Sequence, residues 1–515
     1  MIPLTEAPSV PTAVPPFPRS LLANSREGLI EVSAALAEAV DTALTIRRPS
    51  GPLPAGTPAE VLAAAAEALG PAELPAEGLG SQAALRKLAS VLVEHGIDLS
   101  HPRAAAHLQP PSLAVAVAAD ALASASNASL DTYDSGPSAI AIERWLIRVL
   151  IGLAGFGDRA DGVLTPGGSL SNLLGVLLAR DAAALRRGVN AREDGVAALP
   201  GPVVFCSELA HFSVHRACAA LGLGESAVHP LPTDEHHRIR PEALKAALDG
   251  LGPDRTPLAV IATAGTTDFG SIDPLPQLAE IAGEHGIWMH VDAAYGFGAL
   301  FSDRLSPKLA GLELADSVTL DLHKIGWQPA ATSVLLVSDT TAFTALDRKV
   351  AYLNPADDSE AGYDGLLGRS LQTTRRPDAV KAVATLVAQG RTGMGRMIDV
   401  CHDLARHAEQ RIRREAELEL VSPAELTTVV FRYRTTDPGA ADALNGALRR
   451  HLLETGSALI GRTEVRLDGP ASPERVCLKF TLLNPTATPE DIDGLIDTVL
   501  EAGRDCASLI EEDAA

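Results

Sequence analysis

From about residue 98 to residue 385, short apolar runs alternate with stretches of helical apolar spacing. That alternation is the pattern of a parallel sheet whose crossovers are helices, so it restricts the chain to an α/β architecture. Several runs have strand length and end in polar residues. Val203-Val204-Phe205-Cys206 ends at Ser207, and Leu258-Ala259-Val260-Ile261-Ala262 ends in the hydroxyls of Thr263 to Thr267. Met289-His290-Val291 ends at Asp292, and Val318-Thr319-Leu320 ends at Asp321, three residues before Lys324. In an open parallel sheet, ligands bind outside the carboxyl ends of the strands. The polar residues at these ends are therefore the candidate functional positions. After residue 388 the pattern changes. A turn around Gly390 to Gly395, a helix from Met397 to Glu415, and alternating runs at Leu426–Tyr433 and Val476–Leu483 predict a smaller α+β domain. Before residue 98, a proline-rich stretch over 1–20 predicts extended chain. Helical spacing follows over 21–47, then a linker over 48–57 and a helix over Glu60–Leu69, stopped by Gly70 and Pro71. The expected division is 1–97, an N-terminal extension and helical segment; 98–388, a large domain; and 389–515, a small domain.

The chemistry proposed by the strand ends is specific. A lysine at the position of Lys324 can hold pyridoxal phosphate as an imine, and a carboxylate at Asp292 can pair with the pyridinium nitrogen. Taken singly, each has an ordinary alternative: a solvated lysine and a helix-capping aspartate. Upstream, Thr165-Pro166-Gly167-Gly168-Ser169-Leu170-Ser171-Asn172 precedes an apolar helical run. Gly167 and Gly168 let backbone amides approach an anion, Ser169 can cap the helix or donate a hydroxyl, and the helix dipole favours phosphate. An ordinary glycine turn with an N-cap reads the same way; the segment is neither a Gly-x-Gly-x-x-Gly fingerprint nor a P-loop. His211, between the strand ending near Ser207 and the next helix, can stack on a cofactor ring or serve its own loop. Thr267 can touch the cofactor or belong to a turn. The pairing of Lys324 with Asp292, joined in order by a phosphate site and a ring-stacking candidate, points to pyridoxal phosphate.

At these residues the chain resembles the group II pyridoxal-phosphate decarboxylases. The matching stretches are Thr165–Asn172, His211–Val214, Ala264–Asp273, His290–Tyr295 and Asp321–Lys324, within a resemblance covering roughly residues 95 to 500. The resemblance implies an aspartate-aminotransferase-like fold (fold type I), α-decarboxylation of an L-amino acid, and a homodimer whose N-terminal helices wrap the partner. Carried over by position, Lys324 resembles the cofactor-holding lysine, Asp292 the pyridinium partner and His211 the stacking histidine. Gly168 and Ser169 fall on the phosphate loop, Thr267 lies near the cofactor, and Asp321 and His323 join the cofactor set through the run ending at Lys324. Tyr363 is the preferred match for a catalytic-loop tyrosine that returns a proton after decarboxylation, with Tyr352 as the alternative and His323 as a possible assistant. His107 faces the substrate or satisfies its own loop. It follows Ala104 and Ala105, where the family commonly carries bulkier residues. Asp134 can hold a distal ammonium or cap a loop. The runs around Lys324, Tyr352, Ser370–Arg376 and Lys479–Pro485 look most like the diaminobutyrate and siderophore-type lysine branch. This favours a basic diamino acid, with L-2,4-diaminobutyrate ahead of lysine or ornithine. An acidic or aromatic substrate, or a transaminase or deaminase outcome, is the alternative.

Composition bounds the partners. Forty-three Lys and Arg against 65 Asp and Glu give a net charge of −22, which disfavours nucleic acid and anionic membranes. No uninterrupted apolar stretch has the length of a transmembrane helix, and the first residues lack a basic segment followed by an apolar core, so a cytoplasmic location is expected. The five cysteines, Cys206, Cys218, Cys401, Cys477 and Cys506, show no Cys-x-x-Cys spacing; they fit reduced thiols rather than a disulfide framework or a zinc site. His236-His237 reads as part of a polar turn, and no metal site is expected.

Overall fold

A computed structural model describes residues 17–514 except 47–49, 349, 351, 436, 438 and 468–471. Most of the proline-rich N-terminal stretch therefore lies outside the described residues. The helix Arg26–Thr45 starts at Ser25, whose hydroxyl accepts the Gly28 N–H. The helix Pro58–Leu69 starts with a reciprocal Thr57–Glu60 capping box and a proline in its first turn, both strong start signals. A third helix, Ser81–Glu94, follows Gly80 without a side-chain cap; the sequence reading did not resolve it.

The short strand β1 (Ala104–Ala105) is followed by the seven strands of the large sheet: β2 (Asp161–Thr165), β3 (Pro202–Ser207), β4 (Val228–Leu231), β5 (Thr256–Thr263), β6 (Trp288–Asp292), β7 (Ser317–Asp321) and β8 (Ser333–Val337). Their spatial order is β2-β8-β7-β6-β5-β3-β4. Only β8 runs against its neighbours. The runs are apolar on both faces because helices cover both faces of such a sheet: β5, β6 and β7 are almost wholly buried. The consequence for function is geometric. Thr165, Ser207, Thr263, Asp292 and Asp321, the last residues of β2, β3, β5, β6 and β7, share one edge.

The small sheet comprises β9 (Leu418–Ser422), β10 (Thr428–Tyr433), β11 (Leu459–Arg466) and β12 (Glu474–Thr481), in the order β1-β11-β12-β10-β9. Ala104 and Ala105 pair in parallel with Leu459 and Ile460, so this early segment is an edge strand of the C-terminal sheet. The helix expected from Met397 begins earlier. Helical structure runs over Ala379–Arg414, interrupted only at Gly390 (φ 63°, ψ 175°). The later glycines read as a turn, yet Gly395 serves close packing: a Cβ there would lie 2.5 Å from the Phe301 carbonyl oxygen.

Beneath the phosphate-loop candidate lies a buried ion pair. Arg375 Nη1 donates to Glu143 Oε1 and Oε2 at 2.7 and 3.0 Å, and also reaches the Leu164 carbonyl at 3.4 Å. Leu164 N–H donates back to Glu143 Oε1. Burial pushes the Glu143 carboxyl up against the pull of Arg375. The pair fixes the end of β2, two residues before Pro166.

Candidate active site

The sheet edge opens into a cavity of about 260 Å³. Gly167, Gly168, Ser169, His211, Thr267, Asp292, Asp321, His323 and Lys324 all line it. These residues come from five separate strand-end turns, so the convergence is produced by the parallel topology.

Lys324 Nζ lies 2.9 Å from Asp321 Oδ2. Ser333 Oγ, at the start of β8, donates to Asp321 Oδ1 at 2.5 Å. Asp321 is 3% exposed, and Lys324 reaches it from the next turn of the chain. His323 Nδ1 sits 3.0 Å from the Thr332 carbonyl, and its Nε2 is 3.7 Å from Asp321 Oδ2. On the opposite wall, the helix Gly168–Arg186 begins at Gly167 with no side-chain cap, leaving its first turn free for an anion. A Cβ on Gly168 would lie 2.8 Å from Asp321 Oδ1, so only glycine permits this approach.

Asp292 is 7% exposed. Its Oδ2 accepts from Asn172 Nδ2 at 2.8 Å and its Oδ1 from the Ala294 N–H at 3.1 Å. Both donors are neutral, so the buried charge has room for a cationic partner on the cavity side. A pyridinium nitrogen has the charge and the size. With an uncapped helix start for a phosphate and a lysine for the aldehyde, the residues present fit pyridoxal phosphate. His211 is half-buried, and its Nδ1 lies 2.8 Å from Ser213 Oγ. Burial lowers its pKa, Asp292 raises it and Lys324 lowers it; the net shift is downward, which favours a neutral ring.

Three contacts at the site escaped the sequence reading. Tyr295 lines the cavity and is buried; its hydroxyl meets Thr427 Oγ1 at 2.8 Å and Thr428 Oγ1 at 3.0 Å. Lys479 on β12 donates to Asp268 Oδ1 at 2.7 Å, and Thr463 on β11 to Asp268 Oδ2 at 2.7 Å. Both sets tie the small sheet to the large-domain turns carrying Thr267 and Asp292. The third is His290, discussed below. Residue types alone gave no signal: the Tyr295, Lys479 and Thr463 contacts each join positions more than 100 apart in the chain, and His290 reaches Asn172 118 positions away.

Three other candidates stand elsewhere. Tyr363 is 57% exposed and lines a separate surface cleft with Tyr133, Asp134 and Tyr352; its ring packs edge-on against Tyr133, with centroids 5.4 Å apart. Asp134 is exposed and accepts from Thr132 Oγ1 at 2.6 Å, a local loop contact. His107 is exposed just beyond β1, outside the cavity wall. At Asp234–Arg238 the polar turn forms: Arg238 grips the Asp234 carboxylate, and His237 stacks on Phe269 at 3.6 Å.

His290 is fully buried between β5 and β7, and burial lowers its pKa to about 4, with Asp292 pulling the other way. Unfolded chain takes up a proton on this ring near pH 6.5, whereas the folded chain does so only near 4. Folding stability contributed by His290 is therefore present above 6.5 and lost as the pH falls toward 4, on the order of 2–3 kcal/mol in all. Urea midpoints measured from pH 4 to 7 should fall on the acid side, and His290→Gln should flatten that limb. Identical slopes in parent and variant would count against the burial argument.

The α/β sheet with a lysine, a buried carboxylate and an open helix start at one edge defines a pyridoxal-phosphate enzyme. Comparison with known proteins narrows this: the conserved-domain model of pyridoxal-dependent decarboxylases matches residues 65–434, and the chain belongs to that family. It is 40% identical over 473 residues to the L-2,4-diaminobutyrate decarboxylase of Rhizobium meliloti (strain 1021), covering 92% of this chain and 91% of the relative. The enzyme of the same name from Acinetobacter baumannii is 35% identical, over 82% and 84%. Among solved structures, the glutamate decarboxylase domain of diaminobutyrate-pyruvate transaminase and L-2,4-diaminobutyrate decarboxylase from Vibrio parahaemolyticus superposes with a TM-score of 0.80. It is 29% identical, over 93% of this chain and 96% of that one. Among the described residues, no helix is long and apolar enough to cross a membrane.

Proposed function

We propose that this decarboxylase acts on L-2,4-diaminobutyrate, releasing carbon dioxide and leaving the diamine, with lysine and ornithine as poorer substrates. The observation that carries the substrate is the 40% identity to a diaminobutyrate decarboxylase across nine-tenths of both chains. When bound, the cofactor supplies an electron sink for breaking the bond to the carboxylate. Lys324 would hold the cofactor, and Asp321, 2.9 Å from its Nζ, positions it at the cavity wall. When the cofactor is bound, Asp292 would keep its ring nitrogen protonated, His211 would supply a flat neutral face to it, and the amides at Gly168 and Ser169 with the helix dipole would hold its phosphate. Thr267 and His323, which line the same cavity, would border the bound cofactor. A proton must replace the departing carboxylate at the α-carbon. Tyr363 is the assigned donor, which requires its segment to close over the cavity or to be supplied by a second copy. Asp134 and His107, the candidate substrate contacts, depend on the same approach.

Carbon dioxide release across the proteinogenic amino acids plus ornithine and diaminobutyrate tests the substrate. Diaminobutyrate should give the highest kcat/KM. Preference for glutamate or an aromatic amino acid, with no turnover of any diamino acid, would reject it and leave the decarboxylase family untouched.

The quaternary reading is a homodimer. Its support is the apolar surface on the N-terminal helices, where Leu29, Ile30, Val40, Leu44 and Leu62 are all exposed, more apolar side chain than a lone monomer surface needs. Light scattering should return twice the chain mass at assay concentration, and a fully active monomer would contradict it. A cytoplasmic setting is consistent with five free, buried cysteines; isolation of the native enzyme from a secreted fraction would refute it.

A further inference from the structure

We propose that Asn172 is a positioning residue that joins Asp292 and His211 in one continuous hydrogen-bond relay, whose polarity fixes His211 as the tautomer with its proton on Nε2. The inference rests on the reading that the cofactor ring lies between these two side chains.

The relay runs through the interior of the large domain. Trp288 Nε1 donates to Ser317 Oγ at 2.8 Å, and Ser317 Oγ lies 2.7 Å from His290 Nδ1. His290 Nε2 is 3.0 Å from Asn172 Oδ1, with Thr319 Oγ1 farther off at 3.3 Å. Asn172 Nδ2 then donates twice, to Asp292 Oδ2 at 2.8 Å and to Ser213 Oγ at 2.9 Å. Ser213 Oγ lies 2.8 Å from His211 Nδ1. Every member except His211 is buried or packed at the base of the sheet edge, and Gly175 makes the space. A Cβ there would sit 2.6 Å from the His290 ring.

The direction of every bond follows from groups with a single role. The indole N–H can only donate, so the Ser317 hydroxyl hydrogen is free for His290 Nδ1. The ionised Asp292 carboxylate can only accept, so Asn172 must present its amide nitrogen there. Its oxygen therefore faces His290, which must carry its hydrogen on Nε2. Ser213 Oγ accepts from Asn172 and has its own hydrogen available for His211 Nδ1. The Ser213 backbone N–H reaches the same nitrogen at 3.3 Å, and it too can only donate. His211 Nδ1 is thus an acceptor, and the ring is neutral with its N–H on Nε2. The opposite polarity would set the Asn172 oxygen against a carboxylate oxygen at 2.8 Å. A neutral ring can lie against a pyridinium without like-charge repulsion, so one asparagine holds the anion on the ring's nitrogen and the neutral stack on its face.

The tautomer can be read without cofactor. In ¹⁵N-histidine-labelled apoprotein, with His211→Asn for assignment, the His211 Nδ1 resonance should be of the unprotonated type and Nε2 of the protonated type. Asn172→Asp places an acceptor opposite Ser213 Oγ. Its hydroxyl should then turn toward the new carboxyl group, leaving His211 Nδ1 only the 3.3 Å backbone N–H, and the ring should shift from a single tautomer to a mixture. The same variant should weaken pyridoxal phosphate binding roughly tenfold or more, as expected for a disrupted buried polar network. Ser213→Ala, a milder change at a helix start, should give a mixture of tautomers with Asp292 still tied to Asn172. A proton on Nδ1 in the parent chain would overturn the relay. So would an unchanged ring state in both variants, whatever their activity. Since the readout needs neither substrate nor turnover, a failed relay and a wrong substrate are distinguishable.

Discussion

Alanine at position 324 should abolish amine formation, with kcat/KM falling by roughly 10³-fold or more, while the chain remains folded. Lys324 is placed by two constraints that the substitution leaves intact. β7 delivers Asp321 to the sheet edge, and Ser333 holds the Asp321 carboxylate from the neighbouring antiparallel strand. What disappears is the amine 2.9 Å from Asp321 Oδ2 and with it the proposed covalent hold on the cofactor. Borohydride treatment of the parent enzyme followed by peptide mass mapping should fix the cofactor on the Lys324 peptide. The alanine variant should retain it only reversibly. Lys479 provides the control. It lies at the border of the same region, yet Asp268 and Thr267 O already engage its Nζ. A label found on Lys479 or any other lysine in the parent chain would remove Lys324 from its assigned role.

The strand ends were legible because a doubly covered parallel sheet leaves a simple trace: an uninterrupted apolar run, then a polar residue where the backbone leaves the sheet. Asp292, Asp321 and the turn at Gly167-Gly168 all carry that trace. The residues that organise them do not. Asn172 reads as the last polar residue of the phosphate-loop stretch, and Ser213 as an ordinary helix start. His290, inside the run that ends at Asp292, carries no separate signal of its own. The contacts of Asn172 with Ser213, His290 and Asp292 span 41 to 120 positions, and a distance of that kind is set by the crossovers, not by local spacing. The same reason hid the clasp from Tyr295 to Thr427 and Thr428. Boundaries failed where glycine has two meanings: Gly390 bends the long helix, whereas Gly395 only lets it approach Phe301. Tyr363 is a different case. Its segment lies on the surface of a single chain, so no property of that segment alone locates its working position.

Asn at position 292 should lower kcat by roughly 10²- to 10³-fold at saturating cofactor, the second large effect expected at this site. The side chain keeps its shape, and its oxygen can still accept from Asn172. Two things change. The negative charge facing the cavity is gone, and at a side chain only 7% exposed a lost charge is weakly replaced by solvent. In addition, the new amide nitrogen must face the Ala294 N–H, an acceptor-only position in the parent. The neutral amide can donate to an unprotonated ring nitrogen but cannot hold that nitrogen protonated, so the electron demand of bond cleavage is no longer met. Stopped-flow turnover and circular dichroism melting should separate this from unfolding. A variant with parental kcat at full cofactor occupancy would take Asp292 out of the mechanism. The contrast with position 324 is the stronger check: the Asn variant should still be labelled by borohydride on Lys324, because the lysine, Asp321 and Ser333 are untouched. Loss of the label together with loss of turnover would mean that the substitution had deformed the sheet edge as a whole, and the charge argument would have to be made from a different residue.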